Sequence, residues 1–466
     1  MATGLAAFLA AAAPAIVLGH QLSSVYESRL PLAVYLFGAA VTVALSFGFV
    51  LVRDVRADPP LMDQPASIPP RPIRLGLRAL GLFAWLWIVA QGIAGGASDG
   101  NVATLFLWVY GWVGLAIVSA FVGPAWHWLD PFSTIHDIAA AAVRAAGIRP
   151  WATSPYPAGL GRWPAIVGFA GFIWLELVMA GGGPALLFVV LVGYTAFTVA
   201  MMAQFGRDTW RANGETFTVW FRTLGRLAHW ALVDETGRVR ARPFASGLLE
   251  PGWTVPDIVV IALGVGSILF DGLSQTKAYF DLFGFPAIPE QTVILLGWLA
   301  IVVALALFVT RFVGLAATGA GLLPIAVGYL IAHYLTYLLI DGQRIVIAIS
   351  DPLQRGDDLF GTAFVEPTGT FLPPGLVWTV QLAAVVGGHM LGAWAGHVVA
   401  AQHAPSRADT TALRRREIPL AVVMVGLTTL TLWSLGQAIV SPPQSTGTGP
   451  DLPALARDES APAPPL

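Results

Sequence analysis

Cysteine is absent from all 466 residues. No disulfide, iron–sulfur cluster, thiolate zinc site or cysteine nucleophile can be built from this chain. Charge is nearly as scarce: Asp, Glu, Lys and Arg make up 11% of the residues, against about a quarter in an ordinary soluble domain. Lysine is reduced to Lys277, so 24 of the 25 basic residues are Arg. The formal net charge of -2 offers no footprint for a polyanion. These shortages exclude a soluble globular enzyme, a disordered chain and a nucleic-acid binder. What fills the sequence is apolar. Hydrophobic residues make up 56%, mean hydropathy is +0.71, and 17 tryptophans suit the aromatic belts of a membrane interface.

A helical span needs about 20 mostly apolar residues. Candidates are Leu5–Leu18, Pro31–Val52, Ala79–Ile93, Ala103–Val122, Pro164–Ala180 and Pro184–Gln204, then Val255–Phe270, Gln291–Val309, Gly321–Ile340, Leu376–Ala400 and Ile418–Val440. The runs are continuous rather than alternating, which argues against a membrane barrel. The expected fold class is an all-α bundle of ten to eleven transmembrane helices. The first candidate is short, rich in alanine and without a basic leader. It is either a span or a signal-like segment ending near Val17-Leu18-Gly19. Cleavage there would leave His20 as the N-terminus, with an amine and an imidazole to offer a metal.

Basic residues set the orientation. Alternate connections, Arg53 to Arg78, Arg144 to Arg162, Arg207 to Arg242, Arg311, and Arg407 to Arg416, hold 20 of them, and the other side holds 5. Positive charge stays inside, so the expected placement is a bacterial inner membrane with the N-terminus cytoplasmic and the C-terminus outside. Between residues 206 and 254, Trp210, Phe217, Trp220, Phe221 and Leu224 interleave with Arg207, Arg211, Arg222 and Arg226. That pattern predicts a basic amphipathic helix lying on the inner leaflet. Asp130 before Pro131 reads as a helix start. The tail after Ser441, rich in Pro, Ser, Thr and Gly, reads as disordered.

Ionisable residues within spans are costly and mark function by default. Glu176 lies near the outer end of the fifth span, Asp271 directly follows the seventh, and His333 lies about 10 Å deep in the ninth. With His20, these four belong to the outer half. His389 lies about 20 Å down the tenth span, and His397 near the inner face. Imidazole and carboxylate groups clustered at one depth could hold a divalent metal such as zinc. Each residue taken singly fits an interhelical hydrogen bond as well as it fits a site. Gly388, Gly392 and Gly396 form a ridge of small residues suited to close helix packing. The alternative is a haem lying on that ridge with His389 and His333 as axial ligands, although their depths differ by about 10 Å. Between Asp341 and residue 372 lies an outer loop with Asp351, Arg355, Asp357 and Asp358. It reads as a solvated loop with internal Arg–Asp pairs, or as a lid or calcium loop, although its spacing is not that of an EF-hand.

Several short motifs carry a resemblance: Gly19-His20 with Leu30-Pro31-Leu32, Gly214-Glu215-Thr216-Phe217, Phe270-Asp271-Gly272-Leu273-Ser274, Ala332-His333-Tyr334, Asp351-Pro352-Leu353 and Gly396-His397. In these the chain resembles a family of bacterial polytopic membrane proteins known as fenitrothion hydrolases. The resemblance implies hydrolysis of an aryl organophosphorothioate ester, a small apolar substrate that would reach the site through the lipid bilayer. On that chemistry His20, His333 and Glu176 would be the metal ligands, and a metal-bound water would supply hydroxide at neutral pH; Asp271 and Glu176 are the catalytic candidates, with Asp271 either a ligand or the base orienting the water. The chain departs from soluble metal-dependent phosphotriesterases in having no His-x-His pair. Two other classes stay open: a haem- or metal-handling membrane protein, and a transporter or lipid-modifying protein whose polar groups line a pathway.

Overall fold

A computed structural model describes residues 38, 65–96, 100–148, 151, 154–179, 182–402 and 410–435. The candidate span Leu5–Leu18, His20, all of Pro31–Val52 but Gly38, and the tail after Ser441 lie outside the described residues. The described chain is mostly helical, and seven of its helices are long and apolar enough to cross a membrane. Exposed side chains such as Leu80, Phe83, Phe197, Val293, Ile301 and Phe308 coat the outside with more apolar surface than a soluble monomer tolerates.

Helix α1 spans Arg71–Ala94, and α2 spans Val102–Phe121. A short helix, α3 (Trp126–Leu129), leads to α4 (Pro131–Ala145). The helix start read at Asp130 is present: its carboxylate accepts from the amides of Phe132 and Ser133, and Pro131 opens the helix. Next come α5 (Trp163–Leu177), apolar but short, and α6 (Pro184–Phe205). Between residues 206 and 254 the expected single surface helix is instead two pieces, α7 (Arg207–Asn213) and α8 (Thr216–Leu224). Glu215 separates them and caps α8 with its side chain. The aromatic face of this segment does not lie free for lipid. Trp210, Trp220, Phe221 and Leu224 are buried within the protein, and Trp220 stacks on Trp112 and Phe169. A two-stranded antiparallel hairpin, Trp230–Leu232 with Val239–Ala241, follows.

Helix α9 (Val255–Ser274) is the centre of the bundle, and every residue from Asp257 to Asp271 is buried. A helix apolar all round belongs in the interior. Its start is fixed by Thr254 and Asp257, which cap each other's backbone amides. After α10 (Lys277–Phe283) comes α11 (Ile288–Asp341), broken at Gly314, where φ is 84°. The candidates Gln291–Val309 and Gly321–Ile340 are the two sides of that break. Then come α12 (Arg344–Ser350), α13 (Pro374–Gln402) and α14 (Thr410–Leu435).

The second half of α11 packs along α13, and glycines decide how closely. A Cβ on Gly388 would lie 2.5 Å from the Pro324 carbonyl oxygen, and one on Gly392 2.2 Å from that of Gly321. The glycine ridge therefore meets backbone, and the haem reading that laid a macrocycle on this face has no room. Gly388→Ala is expected to lower thermal stability in mild detergent by an amount equivalent to about 1–3 kcal/mol. Gly387→Ala, with nothing within 4 Å of the added carbon, should leave the melting temperature unchanged. Equal effects from both would contradict the packing account.

Candidate functional site

Three helices deliver four polar side chains to one place. Glu176 comes from the last turn of α5, Asp271 from the last turn of α9, and His333 and Tyr334 from the second half of α11. All four are buried. His333 Nε2 lies 2.9 Å from Asp271 Oδ2. The Tyr334 hydroxyl lies 3.1 Å from the same oxygen and 3.2 Å from Glu176 Oε1. Gln275 Nε2 donates to the other Asp271 oxygen at 3.0 Å. Two buried atoms at the ends of this network have no hydrogen-bond partner: His333 Nδ1 and Glu176 Oε2.

Aromatic rings enclose the group. Tyr329 meets the His333 ring edge-on at 5.7 Å, and Trp112 meets Tyr334 at 6.5 Å. Trp112 lies on the stretch Leu105–Leu115 of α2, which is wound in wide π turns. Such turns recur near functional sites, and here they bring Trp112 against Tyr334.

The sequence placed Glu176, Asp271 and His333 at one depth, and the structure brings these three together. Tyr334 received no role from the sequence, although it adjoins His333 and is one of three tyrosines between Tyr329 and Tyr337. His20 lies outside the described residues. His389 is fully buried but turns to another helix, with Nδ1 3.0 Å from the Thr428 hydroxyl. His397 pairs with Glu417 at 3.0 Å. Among the described residues, no group of three or more His, Asp or Glu is placed to hold a metal ion. The donors meet one another instead: the Tyr334 hydroxyl separates the two carboxylates, and Asp271 engages His333 Nε2. Two carboxylates after α12 are likewise engaged, Asp351 by the amides of Arg355 and Gly356 and Asp358 by Ser350 and Ala363. Pro352 anchors that loop to α1, its carbonyl accepting from Trp87 and Gln91, each at 2.8 Å.

A second polar concentration occupies the arginine-rich end. Asp137 takes Arg78 at 2.6 Å and Arg207 at 2.8 Å. Glu235 takes Arg222 at 2.5 Å and Arg211 at 3.3 Å, and Asp257 pairs with Arg162. Basic connections that the sequence assigned to one side thus share carboxylates in space. Burial raises the Asp137 carboxyl, but hydrogen bonds from His136 and Arg78 and the charges of Arg207 and Arg78 outweigh it and hold it below the ordinary range. Asp130 goes the other way: burial, then the negative charge of Glu215, pushes its carboxyl up to about 6.

Comparison with known proteins finds no matching family model, no similar curated protein and no similar solved structure.

Two predictions follow from this geometry. Tyr334→Phe removes the hydroxyl that joins the carboxylates and should cost about 1–3 kcal/mol of stability, the usual result of stranding a buried acceptor. Tyr329→Phe, whose hydroxyl makes one contact of 3.4 Å with Ser434, should cost less, and thermal melts of both in detergent give the comparison. The second concerns Asp130. Its carboxyl titrates higher in the fold than in the unfolded chain, so its contribution is complete below the ordinary carboxylate range and is lost as pH rises to about 6. Asp130→Asn keeps a good helix cap, so the wild type should lose stability relative to this variant between about pH 4 and 6. Parallel melting curves across that window would show that Asp130 has no such role.

Proposed function

We propose that this is a multi-pass protein of a bacterial inner membrane, with ten or eleven spans, its N-terminus cytoplasmic and its C-terminus outside. We further propose that the Glu176–Tyr334–Asp271–His333 network is the centre of a membrane-embedded hydrolase of apolar organophosphorus esters. Two of the motifs that carry the family resemblance, Phe270–Ser274 and Ala332–Tyr334, supply three of its four residues.

One observation carries the reading: Asp271 holds His333 through Nε2 while His333 Nδ1 is buried without a hydrogen-bond partner. An imidazole that donates through Nε2 presents its other nitrogen as a base, in an orientation the carboxylate fixes. A water on His333 Nδ1 would give a proton to the imidazole as its oxygen attacks the neutral phosphorus. The phosphorus–aryloxy bond then breaks, and nitrophenolate leaves with the bonding pair. It needs little acid help, and the imidazolium returns its proton to solvent. An uncharged ester partitions into the bilayer and needs no cationic clamp. This scheme uses His333 and Asp271 as base and orienter. The sequence reading made His333 a metal ligand; in this scheme Asp271 takes Nε2 and Nδ1 serves as the base.

The test is turnover of diethyl p-nitrophenyl phosphate by protein purified in mild detergent. His333→Gln and Asp271→Asn should each lower the rate at least about a hundredfold, the scale of general-base catalysis, while melting normally. Activity should survive chelation by EDTA. Unchanged turnover in both variants would refute the base assignment, and loss of activity on chelation would return His333 and Glu176 to the role of metal ligands.

A second reading, a proton-coupled transporter, is favoured by the further pairs His389–Thr428 and His397–Glu417, which continue polar positions down α13 and α14. From Ser434 to Thr428 is about 9 Å along the helix and from Thr428 to Glu417 about 16 Å. These gaps exceed any direct hydrogen bond, so a path here would need intervening water. His397→Asn separates the readings: it should leave ester hydrolysis intact and would abolish proton movement in proteoliposomes.

A further inference from the structure

The arginine-rich end holds a cavity that the hydrolase reading does not use. It has a volume of about 250 Å³ and lies between the start of α1, the α3–α4 junction, α7 and the hairpin. Its walls carry five arginines, Arg71, Arg74, Arg78, Arg207 and Arg211, against two carboxylates, Asp130 and Glu235. Partners are unevenly shared. Asp137, behind the wall, serves Arg78 and Arg207. Glu235 is divided between Arg211 and Arg222. No carboxylate among the described residues pairs with Arg71 or Arg74.

Arg211 is the telling member. It is 3% exposed, and its Nε has no hydrogen-bond partner; the Nε of Arg74 is buried and unpartnered as well. Burying a guanidinium with donors unfilled is expensive, and five of them around one space repel one another. His127, on the same wall, accepts from Arg211. Burial and the surrounding arginines push its imidazole down to about 2, so it adds no further charge.

We propose that this cavity binds a phosphate group. A phosphate brings negative charge and several acceptor oxygens, which match the planar donor forks of Arg71, Arg74 and Arg211. The proposal is independent of the hydrolase centre. It uses only the pocket's charge and its position at the start of α1, where Ile73, Leu75 and Leu80 are exposed apolar side chains. Two sources share the chemistry. An anionic phospholipid could place its headgroup among the arginines with its chains along those residues. A free phosphate or phosphomonoester could enter from the aqueous side.

The experiment measures thermal stability of the full chain in uncharged detergent, titrated in one arm with inorganic phosphate and in the other with short-chain phosphatidylglycerol. Phosphatidylcholine is the reference lipid. Stabilisation by inorganic phosphate identifies a free anion as sufficient. Stabilisation by phosphatidylglycerol alone assigns the site to a lipid headgroup. Either result must weaken at least about tenfold in apparent affinity in Arg71→Gln/Arg74→Gln, since each lost charge-assisted bond is worth about that factor. The double variant alters half-buried or exposed side chains and should fold, which its melt without ligand verifies. Arg74→Lys should restore part of the affinity, and Lys277→Gln, whose residue pairs with Asp281, should change nothing. No saturable stabilisation in either arm, or the same stabilisation in the double variant, overturns the proposal. Ester hydrolysis that persists in the double variant keeps the two readings separate.

Discussion

A hydroxyl has one proton to give, and that of Tyr334 lies between two buried carboxylates. In water such an arrangement would be trivial, because solvent would complete it. Inside an apolar bundle each unfilled polar group costs free energy on the scale of a lost hydrogen bond or more. Glu176, Asp271, His333 and Tyr334 are therefore tolerated only by answering one another, and that requirement ties α5, α9 and α11 together at one level. The same requirement pairs two further histidines, His389 with Thr428 and His397 with Glu417.

Packing is subordinate to this constraint but sets its precision. Helix α9 is enclosed along its length, so Asp271 at its end has little freedom to move. Helix α11 is held against α13 through carbonyl-to-glycine contacts at Gly388 and Gly392, which fixes the register of His333. Trp112, Trp220 and Phe169 stack beside the network. In the amphipathic segment after α6, Trp220 finds its partners in those rings, while Arg207, Arg211 and Arg222 find carboxylates at the edge.

The two polar concentrations are built on opposite logic. In the bundle, acids and an imidazole outnumber cations and share protons across hydrogen bonds. At the other end, arginines outnumber the carboxylates that face them, and the surplus surrounds a cavity. The two arrangements can coexist because the apolar helices separate them.

The sequence by itself determined the helical class, the positions of the apolar segments and the grouping of arginines, because each depends on local composition and on periods of a few residues. It also marked Glu176, Asp271 and His333, since charge is conspicuous in an apolar run and helix rise converts position to depth. Depth says nothing of direction around a helix axis. Only the tertiary structure decided that these three side chains face one another and that Tyr334 stands between them. It turned His389 toward Thr428 and closed the glycine ridge against α11. It also folded the segment between residues 206 and 254 into the bundle, because Trp220 gains more by stacking on Trp112 than its amphipathic pattern alone could reveal. Rotational registry and contacts between residues more than a hundred positions apart are properties of packing, which no local pattern encodes.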